Sequence, residues 1–129
     1  MQLVTSPWAE VFDHFGQSIQ FQALLDAPFI AREPLDRLAS ILDSNDRPKI
    51  EILTNLAVDS LLQGSLDAKG IASFCRRRPN TVVRHLPGLH AKAYVADEHL
   101  AIITSGNLTQ ASLHHNYEYG IKINDSSLV

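Results

Sequence analysis

An α/β fold built on a mixed β-sheet flanked by helices is what this sequence predicts. Period-two and helical apolar patterns alternate over the first half of the chain, and strand patterns crowd together after residue 80. With 45% of its 129 residues apolar and 19% charged, the chain suits one compact domain spanning 1–129 with its own core.

Ser6-Pro7 ahead of Trp8, Val11, Phe12 and Phe15 reads as a capped helix start with proline in its first position, and Gly16 is expected to end that helix. Ile19, Phe21, Ala23 and Leu25 alternate with Gln20 and Gln22, the period of a strand. Pro34 fits a first helical turn, after which Leu35, Leu38, Ala39 and Leu42 recur at helical spacing until Asp43-Ser44-Asn45-Asp46 breaks the pattern. Lys49–Thr54 reads as a second strand. Residues 58–78 are mostly helical in pattern, with Gly64 and Gly70 as expected interruptions. Strands are expected at Thr81–Leu86, His90–Ala96, Leu100–Thr104 and Tyr117–Ile123. The continuous apolar run of Leu100–Thr104 suggests burial on both faces.

Several function classes are excluded or disfavoured. A lone cysteine, Cys75, rules out an internal disulfide and a thiolate-rich metal site, and fits a reducing compartment. Its neighbourhood of three arginines would lower a thiol pKa, but a passive buried position is expected. The N-terminus does not resemble a signal peptide, and no apolar run approaches the roughly 20 residues of a membrane span. A soluble cytoplasmic protein with no membrane partner is expected. The formal charge of −3 is unevenly placed. Residues 1–68 hold four basic residues against ten acids, whereas residues 69–129 hold seven against four, so the second half is the one suited to a polyanion.

The chemistry concentrates between His90 and Glu118. On a strand, His90 and Lys92 project from one face about 6.6 Å apart, so one phosphate can touch both. The imidazole can serve as nucleophile or proton carrier, and the ammonium as a point charge for phosphoryl oxygens. Strand Leu100–Thr104 would deliver the hydroxyl and amide of Ser105-Gly106-Asn107 to the same anion. Glu118, on the opposite face from Tyr117 and Tyr119, is placed to fix the tautomer of a histidine.

The spacing His90-x-Lys92, Asp97, Ser105-x-Asn107 and Glu118 resembles the HKD motif of the phospholipase D superfamily, which includes bacterial endonucleases and one class of restriction enzymes. The Ala-Pro-Phe-Ile run at 27–30, the Leu-His-Ala-Lys run at 89–92 and Asn116-Tyr-Glu118 look like that family's surroundings of the motif. The resemblance implies a phospholipase-D-like mixed sheet and a metal-independent phosphodiesterase without cofactors, acting through a phosphohistidine on His90. By the same resemblance Lys92 and Asn107 hold phosphoryl oxygens, Ser105 adds a hydrogen bond, Glu118 orients His90, and Asp97 belongs to the motif in a role more structural than catalytic. The family builds one site from two motifs and this chain holds one, so a homodimer is expected, with a longer protein supplying the second motif as the alternative. Two departures stand out. Thr104 occupies the position where the family usually has glycine, and the chain ends soon after Ile123, where a terminal helix is expected to be missing.

The substrate expected first is nucleic acid, DNA ahead of RNA, with an endonuclease as the leading function. Lipid phosphodiester cleavage or transfer uses the same chemistry but lacks an evident apolar anchor in the sequence. A non-catalytic nucleic-acid-binding or dimerisation module of a larger protein is the third class. Arg76, Arg77, Arg78 and Arg84 are candidates for phosphate contacts, with a basic helix C-terminus as an equal reading of the arginine triplet. Tyr94, Tyr117 and Tyr119 could stack bases, but sheet-core packing is expected for them. His114-His115 reads as a surface turn, so no metal ligand is assigned, and His85 and His99 read as hydrogen-bonded strand histidines.

Overall fold

The computed structural model describes residues 1–64 and 66–129. Along the chain come β1 (Gln2–Thr5), α1 (Ala9–Ser18), β2 (Gln22–Asp26), α2 (Arg32–Ile41), β3 (Lys49–Thr54), α3 (Val58–Leu62) and α4 (Ala68–Arg77). They are followed by β4 (Thr81–His85), β5 (Ala93–Ala96), β6 (Leu100–Thr104), α5 (Gln110–His114) and β7 (Tyr119–Ile123). The strands form one seven-stranded mixed sheet in the order β1-β7-β6-β5-β2-β3-β4. Parallel pairing joins β2, β3 and β4, whose connections run through helices, and antiparallel pairing joins β2 to β5 and the rest.

Register places Ala23, Leu25, Ile50, Ile52, Tyr94, Ala96, Leu100 and Ile102 on one face, all buried. Directly paired residues share a face, so this is the side that α1, α2 and α4 cover. The other face is more open. Ile103 is 49% exposed there while Ala101 on the same face is buried, so the expectation that β6 is buried on both sides fails at Ile103 alone.

Other boundaries also differ. No strand was expected at β1, which is held by pairing with β7 rather than by any pattern of its own. Ser6 does not cap α1. Its backbone N–H donates to the Glu118 carbonyl at 3.2 Å and its hydroxyl accepts from Glu118 N, so Trp8 becomes the residue ahead of the helix. Gly16 lies inside α1 because a helix can pass closely there: a Cβ would come within 3.1 Å of Leu38 and 3.2 Å of Ile41 on α2. The predicted 58–78 stretch is divided at Gly64, which has φ +74°, while Gly70 stays inside α4; Ser65 lies outside the described residues. His90 and Lys92 precede β5, although the Lys92 carbonyl still accepts from Thr104 N at 3.2 Å.

Beneath the sheet's carboxyl-terminal end sits an aromatic cluster of Trp8, Phe12, Phe15 and Tyr94, with ring centroids 5.6–6.3 Å apart in tilted, stacked and edge-on pairs. Two of these rings carry polar tips that reach into the following loop. Tyr94 Oη donates to the Gly106 carbonyl at 2.9 Å, and Trp8 Nε1 donates to the Ser112 carbonyl at 3.0 Å. Removing the phenol would leave a buried carbonyl without its donor. Tyr94→Phe is therefore expected to lower stability by about 1–3 kcal/mol. A denaturation midpoint shifted down with unchanged slope is the expected readout, and an unshifted midpoint would contradict the assignment.

Candidate active site

One edge of the sheet gathers the motif. The C-terminal ends of β2, β3, β4 and β6 and the N-terminal ends of β5 and β7 all meet there, as the pairs Asp26–Ala93, Ala93–Ile103 and Thr104–Gly120 require. His90, Lys92, Ser105, Asn107 and Glu118 all sit on this edge, brought from segments as much as 28 positions apart by the antiparallel β5-β6-β7 pairing.

The turn after β6 is tightly specified. Thr104 Oγ1 donates to the Tyr119 carbonyl at 3.2 Å and accepts from Gly106 N at 3.1 Å, so its hydroxyl ties the turn to β7. Space for its side chain comes from Gly120 across the pair, where a Cβ would lie 2.7 Å from Thr104 Cβ. Gly106 is equally constrained, since a Cβ there would lie 2.5 Å from Ser112 Oγ and 2.9 Å from the Trp8 ring. Asn107 Oδ1 accepts from Phe29 N at 3.3 Å, which leaves its amide N–H groups for an anion. That contact explains the Ala-Pro-Phe-Ile run: Phe29 and Ala31 flank a parallel bridge between Ile30 and Leu108.

Glu118 and His90 are not paired with each other. Ser105 Oγ donates to Glu118 Oε2, Asn116 Nδ2 lies 3.5 Å from Oε1, and the His90 ring instead has its Nδ1 3.1 Å from Lys92 Nζ.

Asp97 lies at the far end of β5, on the opposite edge. Its carboxylate accepts the backbone N–H groups of Gln20, Phe21 and Gln22 at 2.6–2.8 Å, and it opens the β5–β6 turn with φ +50°. Through these bonds it holds the start of β2. The arginine triplet ends α4 on that same far edge. Arg78, 6% exposed, donates to the Leu42 carbonyl at 2.9 Å, and Arg77 reaches Asp43 at 3.0 Å, so these two close the end of α2. Of the four candidate arginines only Arg84 stands near the site's edge, exposed and 3.1 Å from Glu51.

The tyrosines divide. Tyr94 is buried, as expected, but Tyr117 is 94% and Tyr119 66% exposed, against the expected sheet-core packing, because no helix covers their face. His85 Nδ1 accepts from Leu56 N at 2.9 Å, His99 Nδ1 lies 3.4 Å from the Asp97 carbonyl, and His114 approaches Glu33 at 3.6 Å. Among the described residues, no group of three His, Cys, Asp or Glu side chains is placed to hold a metal ion. Burial pushes the Cys75 thiol pKa up, away from a reactive thiolate. Among the described residues, no helix is long and apolar enough to cross a membrane.

A mixed sheet with this motif along one edge defines a phospholipase-D-like domain, and the family model described as "Cardiolipin synthase, PLD-like domain" matches residues 20–129. The chain belongs to that family of phosphodiesterases. NucT from Helicobacter pylori superposes on 98% of this chain and 86% of its own, with TM-score 0.73 and 17% identity. Nuc from Salmonella typhimurium, a phospholipase D family member, gives TM-score 0.73 and 17% identity over 98% of this chain and 84% of its own. Phosphatidylserine synthase from Haemophilus influenzae matches 98% of this chain but 34% of its own, with TM-score 0.68 and 14% identity. No curated protein sequence matches the chain.

Two residues at this edge escape a reading of the motif. Ser6 holds the Glu118 backbone, and only the β1–β7 pairing could have announced it. Asp26 ends β2 opposite Ala93, with Oδ1 buried and unpartnered; an acid closing an apolar strand was its one signal. Burial raises the Asp26 carboxyl above its ordinary value, and its charge, with that of Glu118, adds to the burial that raises the Tyr94 phenol. For an acid raised in the folded state, the protonated form favours folding. That contribution is complete below the unfolded value and is lost as pH rises through the folded one. Asp26→Asn is expected to melt at higher temperature than wild type at about pH 7, with the difference vanishing near about pH 3. Identical melting at neutral pH would contradict the burial argument.

Proposed function

We propose that the chain is one half of a metal-independent endonuclease that acts on DNA or RNA as a homodimer. The observation that carries this reading is the convergence of His90, Lys92, Ser105, Asn107 and Glu118 on one sheet edge, in a sequence with a single copy of the motif. In the reaction His90 attacks phosphorus, the bond to the leaving oxygen breaks, and the second copy's His90 protonates that oxygen. Lys92 and Asn107 stabilise the charge on the non-bridging oxygens. Water then attacks the phosphohistidine while the second histidine takes its proton, which restores both imidazoles.

Exposed Tyr117 and Tyr119 on either side of Glu118 favour a substrate with bases to stack, and Arg84 stands near the edge where a strand of phosphates could pass. A second reading, lipid phosphodiester chemistry, gains one specific observation. Leu56, Val58, Leu61 and Leu62 in and before α3 are exposed, beside the site's edge, where the sequence had suggested no apolar anchor.

Cleavage assays in EDTA separate these readings, using single- and double-stranded DNA, RNA, a chromogenic phosphodiester and phosphatidylcholine vesicles. Nucleic-acid cleavage that persists in EDTA and falls by about 10³-fold or more in folded His90→Ala is the expected result. Turnover of vesicles alone would favour the lipid reading. Loss of cleavage in EDTA would contradict the metal-independent route, and a folded dimer inert on every substrate would overturn both enzymatic readings.

A further inference from the structure

The far edge holds a cavity that neither the motif nor the core uses. Its volume is 340 Å³, and Asp46, Arg77, Arg78, Pro79 and Asn80 line it. β3 starts beside it, where Ile50 N donates to the Asn80 carbonyl, and reaches the catalytic edge about 17 Å away. Two helices end at the cavity, α2 at Ile41 and α4 at Arg77, and their dipoles favour cations there. That accounts for where Arg77 and Arg78 stand, but not for their surplus of donors. Arg78 is 6% exposed, yet its guanidinium, with five N–H groups, makes one hydrogen bond, to the Leu42 carbonyl at 2.9 Å. Asp46 stays 3.9 Å away on a fully exposed side chain, and the other N–H groups find no acceptor among the described residues. Arg77 uses a single nitrogen for both Ser40 and Asp43. The local charge agrees. In a chain of net charge −3, Arg47, Lys49, Arg76, Arg77 and Arg78 gather on this edge against Asp43, Asp46 and Glu98, while three backbone N–H groups already cover the Asp97 carboxylate.

We propose that this cavity is a second anion site, separate from the catalytic edge, that takes a phosphate dianion, free or at the end of a nucleic-acid strand, with Asp46 as a tethered competitor at its mouth. The unfilled fork of Arg78 and the Arg77 guanidinium hold the phosphoryl oxygens, and the Asn80 side-chain amide adds a donor. Charge selects the ligand. A phosphodiester carries one negative charge, no more than the Asp46 carboxylate it must displace against two helix C-termini, whereas a phosphomonoester carries close to two. The site therefore favours strand ends or free phosphate over strand interiors. It goes beyond the phosphodiesterase reading and uses none of that reading's catalytic residues.

Nitrogen NMR of the labelled full chain tests the site, by titration with inorganic phosphate at constant ionic strength and about pH 8, where the ligand is doubly charged. The Nε–H signals of Arg77 and Arg78 and the Asn80 amides should shift saturably, whatever happens at the catalytic edge. Because Arg78 also holds the Leu42 carbonyl, the variants are ones that leave that bond in place. Asp46→Asn should tighten phosphate by about fivefold, and Arg77→Gln should weaken it by about tenfold. A terminally phosphorylated DNA oligonucleotide that reproduces the far-edge shifts would assign the site to strand ends, and shifts from inorganic phosphate alone would assign it to free phosphate. Far-edge signals that stay still, that move equally with an unphosphorylated strand, or that report unchanged affinity in Asp46→Asn would overturn the proposal. These spectra need no turnover, so a failed titration leaves the nuclease reading standing, and an inert chain that binds phosphate here leaves the site standing.

Discussion

The hydrogen bond from the buried Tyr94 hydroxyl to the Gly106 carbonyl fixes where the site can be. Tyr94 lies in β5, two residues after Lys92, and Gly106 lies in the turn that carries Ser105 and Asn107, so this bond locks the His-Lys segment to that turn. Trp8 adds a second tie, to α5 just beyond that turn, through Ser112. Both donors sit on aromatic rings at 0% exposure, where a misplaced polar tip has no water to fall back on. The core therefore specifies the geometry of the edge.

The two edges of the sheet are used differently. On the far edge, charged groups are consumed by the fold: Asp97 holds three backbone N–H groups and Arg77 and Arg78 close the end of α2. On the near edge, Lys92 and Ser105 pair with the side chains of His90 and Glu118, while Ser105 Oγ and Asn107 Oδ1 also accept backbone N–H groups of Tyr119 and Phe29. The arginine triplet that dominates the sequence's charge profile therefore lies on the far edge, with Arg77 and Arg78 tied to α2.

Much of this was legible in the sequence, for identifiable reasons. β3 and β6 matched their expected bounds because strong apolar patterns ended at clear breaks, and His90, Lys92, Ser105, Asn107 and Glu118 share one edge because strand order after residue 90 is locally antiparallel, with Asp97 on the other. What local pattern could not disclose was partnership across distance. β1 has no apolar periodicity of its own and exists through β7. Thr104 looked like a defect until Gly120 supplied the missing space, and Gly16 looked like a terminator until α2 packed against it. Tyr117 and Tyr119 have the alternation of core residues, but no helix covers the face they occupy. Arg77 and Arg78 could be separated from a binding surface only by seeing their acceptors on α2.

On the proposed reading, a single motif per chain makes activity depend on two chains meeting. The most direct measurement is the initial rate of nucleic-acid cleavage in EDTA as chain concentration is lowered, with solution mass measured over the same range. The rate should fall with the square of concentration where the mass reports monomers, and linearly where it reports dimers. A rate strictly proportional to concentration throughout the monomeric range would contradict the account, because one copy of His90 would then suffice for both attack and protonation.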